Sequence, residues 1–165
     1  MSELELEPMD DPADHEPTVV TSTFSDGHTE TMTDVDGDGY ADKVEIDRDG
    51  DGHAEVVYTH GYGPGHDLDT ATVDTDGDGK YDAVYSDRNH DGRVDLYAED
   101  HNHDGIADVA IADQNYDGRA DLALKDEDFD GVADVTVTDT NNDGTYDTVH
   151  YSQPGRLAGD PFGAN

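Results

Sequence analysis

Short runs of alternating apolar and polar residues recur along this chain: Val94-x-Leu96-x-Ala98, Ala107-x-Val109-x-Ile111, Ala120-x-Leu122-x-Leu124 and Ala133-x-Val135-x-Val137. A period of two sends alternate side chains to opposite faces of an extended backbone, so each run predicts a short, half-buried β-strand. Helix is disfavoured, because glycine returns every thirteen residues and leaves no run long enough for three amphipathic turns. The earliest run is out of phase. It has Lys43 and Glu45 where the others are apolar, with Val44 and Ile46 one step along, which predicts a place at an edge.

Between the runs lies one repeated pattern: acid, any, Asp or Asn, any, Asp, Gly, any, any, acid. Its eight copies span Asp34–Asp42, Asp47–Glu55, Asp74–Asp82, Asp87–Asp95, Asp100–Asp108, Asp113–Asp121, Asp126–Asp134 and Asp139–Asp147, and from Asp74 each starts thirteen residues after the last. The 27-residue step from Asp47 to Asp74 leaves room for one more unit, His60–Val73, whose Gly-rich loop with Pro64 reads as a turn without metal. Thr18–Thr33 keeps Asp26-Gly27 and Glu30 but has Ser22 and Phe24 in place of acids, and reads as a degenerate cap, since terminal repeats of arrays are atypical. The predicted organisation is therefore an acidic, proline-bearing disordered tail over 1–17, an array over 18–151, and a loose tail over 152–165. A loop plus a short strand, repeated in tandem, predicts an all-β fold: a calcium-stabilised parallel β-solenoid, or β-roll, with two units per coil. The alternative is an extended calcium wire.

Composition supports an ion as the organising element. Only 32% of the 165 residues are hydrophobic, there is no Trp, and the formal charge is −35, a profile that by itself describes a disordered chain. The charge is in register, however. Twenty-eight of the 43 acids occupy the alternating motif positions, and eight divalent ions would bring −35 to −19. A generic acidic surface would scatter its carboxylates instead of locking them to glycine. Eight Lys+Arg against 43 acids argue against nucleic acid, and no apolar run reaches the roughly twenty residues of a membrane span. With no Cys, neither disulfides nor thiol chemistry is available.

Oxygens at every second position, with a turn on glycine, suit a hard cation, most naturally Ca²⁺. Positions 1, 3, 5 and 9 offer side chains, and position 7, which varies freely, offers its backbone carbonyl. The eight predicted ligand sets, with position 7 fourth in each, are Asp34, Asp36, Asp38, Tyr40 and Asp42; Asp47, Asp49, Asp51, His53 and Glu55; Asp74, Asp76, Asp78, Lys80 and Asp82; Asp87, Asn89, Asp91, Arg93 and Asp95. They continue with Asp100, Asn102, Asp104, Ile106 and Asp108; Asp113, Asn115, Asp117, Arg119 and Asp121; Asp126, Asp128, Asp130, Val132 and Asp134; Asp139, Asn141, Asp143, Thr145 and Asp147. Asn at position 3 keeps an oxygen and drops a charge. About eight Ca²⁺ ions are expected. His60 and His66 in the degenerate loop, and His101 and His103 at positions 2 and 4 of the fifth, read as turn and solvated loop residues.

The DxDxDG start resembles the EF-hand and dockerin loops, but those require an acid at position 12, where this chain has Glu45 once and then Tyr58, Tyr85, Ala98, Ile111, Leu124, Val137 and His150. The full DxDxDGxxD form is similar to the loops of integrin-type FG-GAP propeller blades and thrombospondin type 3 repeats. That resemblance implies calcium at positions 1, 3, 5, 7 and 9, over residues 34–151. Blades are much longer than thirteen residues, and type 3 repeats are pinned by cysteines that are absent here. The tandem arrangement is also similar to the RTX β-roll, without its glycine-rich nonapeptide.

No nucleophile elbow, HExxH or phosphate-cradling loop with Lys is present, and saturated carboxylate loops lack the open position that metal catalysis uses. The expectation is a protein without enzymatic activity: calcium folds and stiffens a structural or interaction module, with a calcium buffer or sensor as the alternative. A calcium-rich exterior or cell surface is the expected setting, with the cytoplasm as the alternative because the N-terminus has neither a basic nor an apolar leader region.

Overall fold

Nine loop residues in a thirteen-residue unit leave four for a strand, and four is the length of every strand from the fourth onward. The computed structural model describes residues 16–61 and 65–152, and the described chain is all β. Its strands are β1 (Thr18–Thr23), β2 (Thr29–Asp34), β3 (Lys43–Asp47), β4 (Val56–Thr59), β5 (Thr70–Val73), β6 (Ala83–Ser86), β7 (Leu96–Glu99), β8 (Val109–Ala112), β9 (Leu122–Lys125), β10 (Val135–Thr138) and β11 (Thr148–Tyr151). They form one open sheet in chain order, each strand antiparallel to the one before it. Strands touch only their chain neighbours, so the sheet is a single layer. The predicted tails fall outside the described residues except for Glu16, Pro17 and Ser152, as does Pro64.

This corrects the predicted parallel solenoid, and the loop explains the difference. The position-9 N–H donates to the carbonyl of the residue just before the loop: Asp82 to Val73, Asp95 to Ser86 and Asp108 to Glu99, each at 2.8 Å. That bond closes the neck of the loop and returns the chain beside the strand it has just left. Antiparallel pairing follows, whereas a coil needs the loop to carry the chain into a second sheet. The continuous ladder equally replaces the extended-wire alternative. β3 is not at an edge but between β2 and β4, and the outermost strands are β1 and β11, both exposed along their length.

Register decides where the apolar residues go. Val109 faces Lys125, Ile111 faces Ala123, and Ala123 faces Val137, so motif position 10 of one unit meets position 13 of the next. Consecutive units therefore present their alternating apolar residues to opposite faces. One face gathers Val109, Ile111, Ala123, Val135 and Val137; the other gathers Leu96, Ala98, Ala110, Ala112, Leu122 and Leu124. The largest buried cluster is thin, with Ala123, Val135 and Val137 covered by Ile111 and by Tyr146 from a loop.

Because strand direction alternates, loops alternate between the two long edges. One edge carries the loops Asp47–Glu55, Asp74–Asp82, Asp100–Asp108 and Asp126–Asp134. The other carries Asp34–Asp42, the degenerate loop ending at Asp69, Asp87–Asp95, Asp113–Asp121 and Asp139–Asp147. Successive loops on one edge are joined by a backbone bond from the position-1 N–H to the position-9 carbonyl: Asp100 to Asp82 at 2.8 Å, Asp113 to Asp95 at 2.8 Å, Asp126 to Asp108 at 2.7 Å.

Candidate metal centres

Every repeat builds its loop from the same side-chain-to-backbone bonds. The position-1 carboxylate accepts the N–H of the position-6 glycine in all eight copies, for example Gly79 to Asp74 at 2.8 Å and Gly105 to Asp100 at 2.7 Å. The position-5 carboxylate accepts the N–H of position 7, as from Tyr40 to Asp38 at 2.9 Å and from Val132 to Asp130 at 2.9 Å. The position-9 carboxylate accepts the N–H of position 2, as from Thr75 to Asp82 at 2.9 Å and from His101 to Asp108 at 2.7 Å. Asn at position 3 does the work of Asp, taking the Asp104 N–H on Asn102 at 2.8 Å where Asp76 takes that of Asp78 at 3.1 Å. The position-6 glycines sit at φ between 84° and 95°, which a side chain resists. Position 4 is left-handed too, filled by glycine in the first three copies and by His90, His103, Tyr116, Phe129 and Asn142 at φ of 58–61° in the rest.

These bonds use part of each carboxylate's oxygen capacity, and in four loops several of the carboxylates converge, without Asp38, Asp74 and Asp130. Four groups bring at least three ligand atoms within 4.8 Å of one another: Asp34, Asp36 and Asp42; Asp47, Asp49, Asp51 and Glu55; Asp76, Asp78 and Asp82 with His103; and Asp126, Asp128 and Asp134. All four belong to copies with Asp at position 3. The remaining copies have Asn89, Asn102, Asn115 and Asn141 there, so they carry the same scaffold with one carboxylate fewer. The position-7 residues place their N–H on the loop, and some lay their side chains over the next loop of the same edge: Arg119 donates from Nη1 to the Asp143 carbonyl at 2.9 Å, and Ile106 lies against Gly131.

Burial makes these acids expensive. Asp82, Asp95, Asp108 and Asp134 are only 4–5% exposed. Removing a carboxylate from water is unfavourable without compensation. The backbone N–H groups supply some of it. The N–H and hydroxyl of Thr75, aided by His103, hold Asp82 below the usual carboxylate range; for Asp74, burial pushes the other way, but the N–H groups of Gly79 and Gly77 outweigh it. Lys43, Lys80 and Lys125 pair with Glu45, Asp78 and Glu127, so these cations do not neutralise the buried position-1 and position-9 acids.

The structure adds residues that the motif did not single out. Asp69 ends the degenerate loop, is 8% exposed and accepts the Gly61 N–H at 2.8 Å, the same task as a position-9 acid. Its sequence signal is its place immediately before β5, as Asp42 stands immediately before β3. His60 and His66 point to different partners: His60 Nδ1 lies 2.8 Å from the Asp67 carbonyl, while His66 stacks on Tyr40 with Nδ1 3.0 Å from Asp38. His103, expected to be solvated, instead reaches the preceding loop on its edge, with Nδ1 2.8 Å from Asp82 Oδ1. Among the described residues no helix is long and apolar enough to cross a membrane. Neither a protein family, nor a curated protein, nor a solved structure matches this chain.

Proposed function

We propose that this is a calcium-binding repeat protein in which about eight Ca²⁺ ions drive the folding of a rigid structural or interaction module. The observation that carries it is the repetition of one oxygen-rich loop, fixed by the same backbone bonds, along both edges of a sheet with little core of its own. Oxygen ligands on a nine-residue loop match calcium's preference for six to eight oxygens at about 2.3–2.6 Å. Among the described residues, the side-chain clusters of the Asp34–Asp42, Asp47–Glu55 and Asp126–Asp134 loops consist of carboxylates alone. The proposed role is support and interaction in a calcium-rich setting, with no catalysis assigned.

Isothermal titration and elemental analysis test the stoichiometry. Seven to nine ions per chain are expected; two or fewer would rule out tandem sites. Asp104→Ala is expected to remove about one ion. It should also loosen the loop ending at Asp134, because the Asp126 N–H bonds the Asp108 carbonyl at 2.7 Å and so couples neighbours along one edge. Hydrogen exchange at Asp126 reads that coupling directly, and unchanged protection there would show that the loops act independently.

A further inference from the structure

One cluster differs from the others in its chemistry. Asp76, Asp78 and Asp82 come from the third loop, and His103 comes from position 4 of the fifth, the next loop along that edge. The two loops are held together by the ladder bond from Asp100 to Asp82, so the imidazole is presented by the fold and not by a mobile arm. Asp82 is 5% exposed; its Oδ2 accepts from the N–H and hydroxyl of Thr75, while its Oδ1 is buried and faces His103 Nδ1 2.8 Å away without a well-directed hydrogen bond. His103 Nδ1 is likewise buried and has no well-directed hydrogen bond to another group. Two lone-pair-bearing atoms, side by side and turned inward beside two further carboxylates, have the arrangement of ligands sharing one ion. Neighbouring ligands on a tetrahedral ion with bonds of about 2.1 Å stand roughly 3.4 Å apart, so the pair at 2.8 Å would have to open by about half an ångström to share one.

We propose that Asp76, Asp78, Asp82 and His103 form an inter-loop site for a first-row divalent transition ion, of the zinc or cobalt class, selected over calcium by the imidazole. Calcium is a hard ion served by oxygen, and a nitrogen ligand gives it little. Zn²⁺ and its neighbours bind imidazole nitrogen and carboxylate oxygen together, at shorter bonds than calcium makes. The site also staples the third loop to the fifth. It depends on the antiparallel fold, which places these loops side by side, and not on calcium filling the remaining loops. The competing account is a protonated His103 that only neutralises Asp82 and Asp76, whose Oδ2 lies 3.7 Å from Nε2.

The test uses the full chain in millimolar CaCl₂, titrated with Co²⁺ as a spectroscopic probe and then with Zn²⁺ in competition. The expected result is one Co²⁺ held against the calcium, displaced by one equivalent of Zn²⁺, with the ring protons of His103 strongly shifted by the paramagnetic ion. His103→Ala should weaken that ion at least tenfold while leaving the circular dichroism and the other bound calcium ions unchanged. No Co²⁺ retained in wild type would overturn the proposal without recourse to any variant. So would Co²⁺ binding that survives His103→Ala, or that shifts the rings of His60 or His90 instead. Calcium stoichiometry is read separately, so a failure of calcium at the other loops and a failure of this site give different results.

Discussion

In excess chelator the chain is expected to lose its β-sheet spectrum and cooperative melting, and in millimolar Ca²⁺ to recover both. Three features set the size of this effect. The largest buried hydrophobic cluster is three side chains, two of Val and one of Ala, so apolar burial supplies little. Ordering the backbone costs about 1–2 kcal/mol per residue, and there is no disulfide to reduce the entropy of the unfolded chain. Finally, up to four carboxylates crowd each nine-residue loop, and those at positions 1 and 9 are mostly buried, so the metal-free sheet must hold like charges close together. Ions that bind only the folded state add their binding free energy to folding, and several modest sites together decide the balance. Far-UV circular dichroism and thermal melts in chelator, then in Ca²⁺, make the measurement. A native spectrum with cooperative melting in chelator would mean that the N–H bonds and the thin core suffice, and the structural role proposed for calcium would fall.

The loops were more legible in the sequence than the fold that carries them. Each loop is local: a position-1 carboxylate reaches the position-6 N–H five residues on, so register within the motif specifies both the turn and the ligand oxygens. Strand positions were equally local, and the runs around Val109, Leu122 and Val135 each became strands. Strand direction was not, because it depends on how the neck of the loop closes. The Asp82-to-Val73 bond that settles it is a backbone contact, independent of side-chain type. Once pairing is antiparallel, position 10 meets position 13, and the apolar residues of consecutive units divide between two faces. His103 was missed for the same reason. Its neighbours in sequence are solvent and backbone, and its carboxylate partners, Asp76 and Asp82, lie more than twenty residues away, brought close only by the meander.

Val137→Asp is expected to destabilise the calcium-loaded protein by about 3 kcal/mol or more, and Val149→Asp by well under 1 kcal/mol. The two residues are of one type, face each other across β10 and β11, and point to the same side of the sheet. They differ in cover. Val137 is 2% exposed, packed with Ala123 and Val135 beneath Ile111 and Tyr146, whereas Val149 on the outermost strand is 50% exposed. An aspartate at 137 would be an unpaired charge in the best-packed part of a small core, with no cation beside it. At 149 the same carboxylate stays in water and loses only part of a valine contact. Neither position lies in a metal loop, so both variants should keep their ion count, and the comparison isolates packing. Urea denaturation at fixed Ca²⁺ measures the difference. Equal effects would mean that the loops do not shelter this face, that Tyr146 leaves the cluster open, and that the ions alone hold the sheet together.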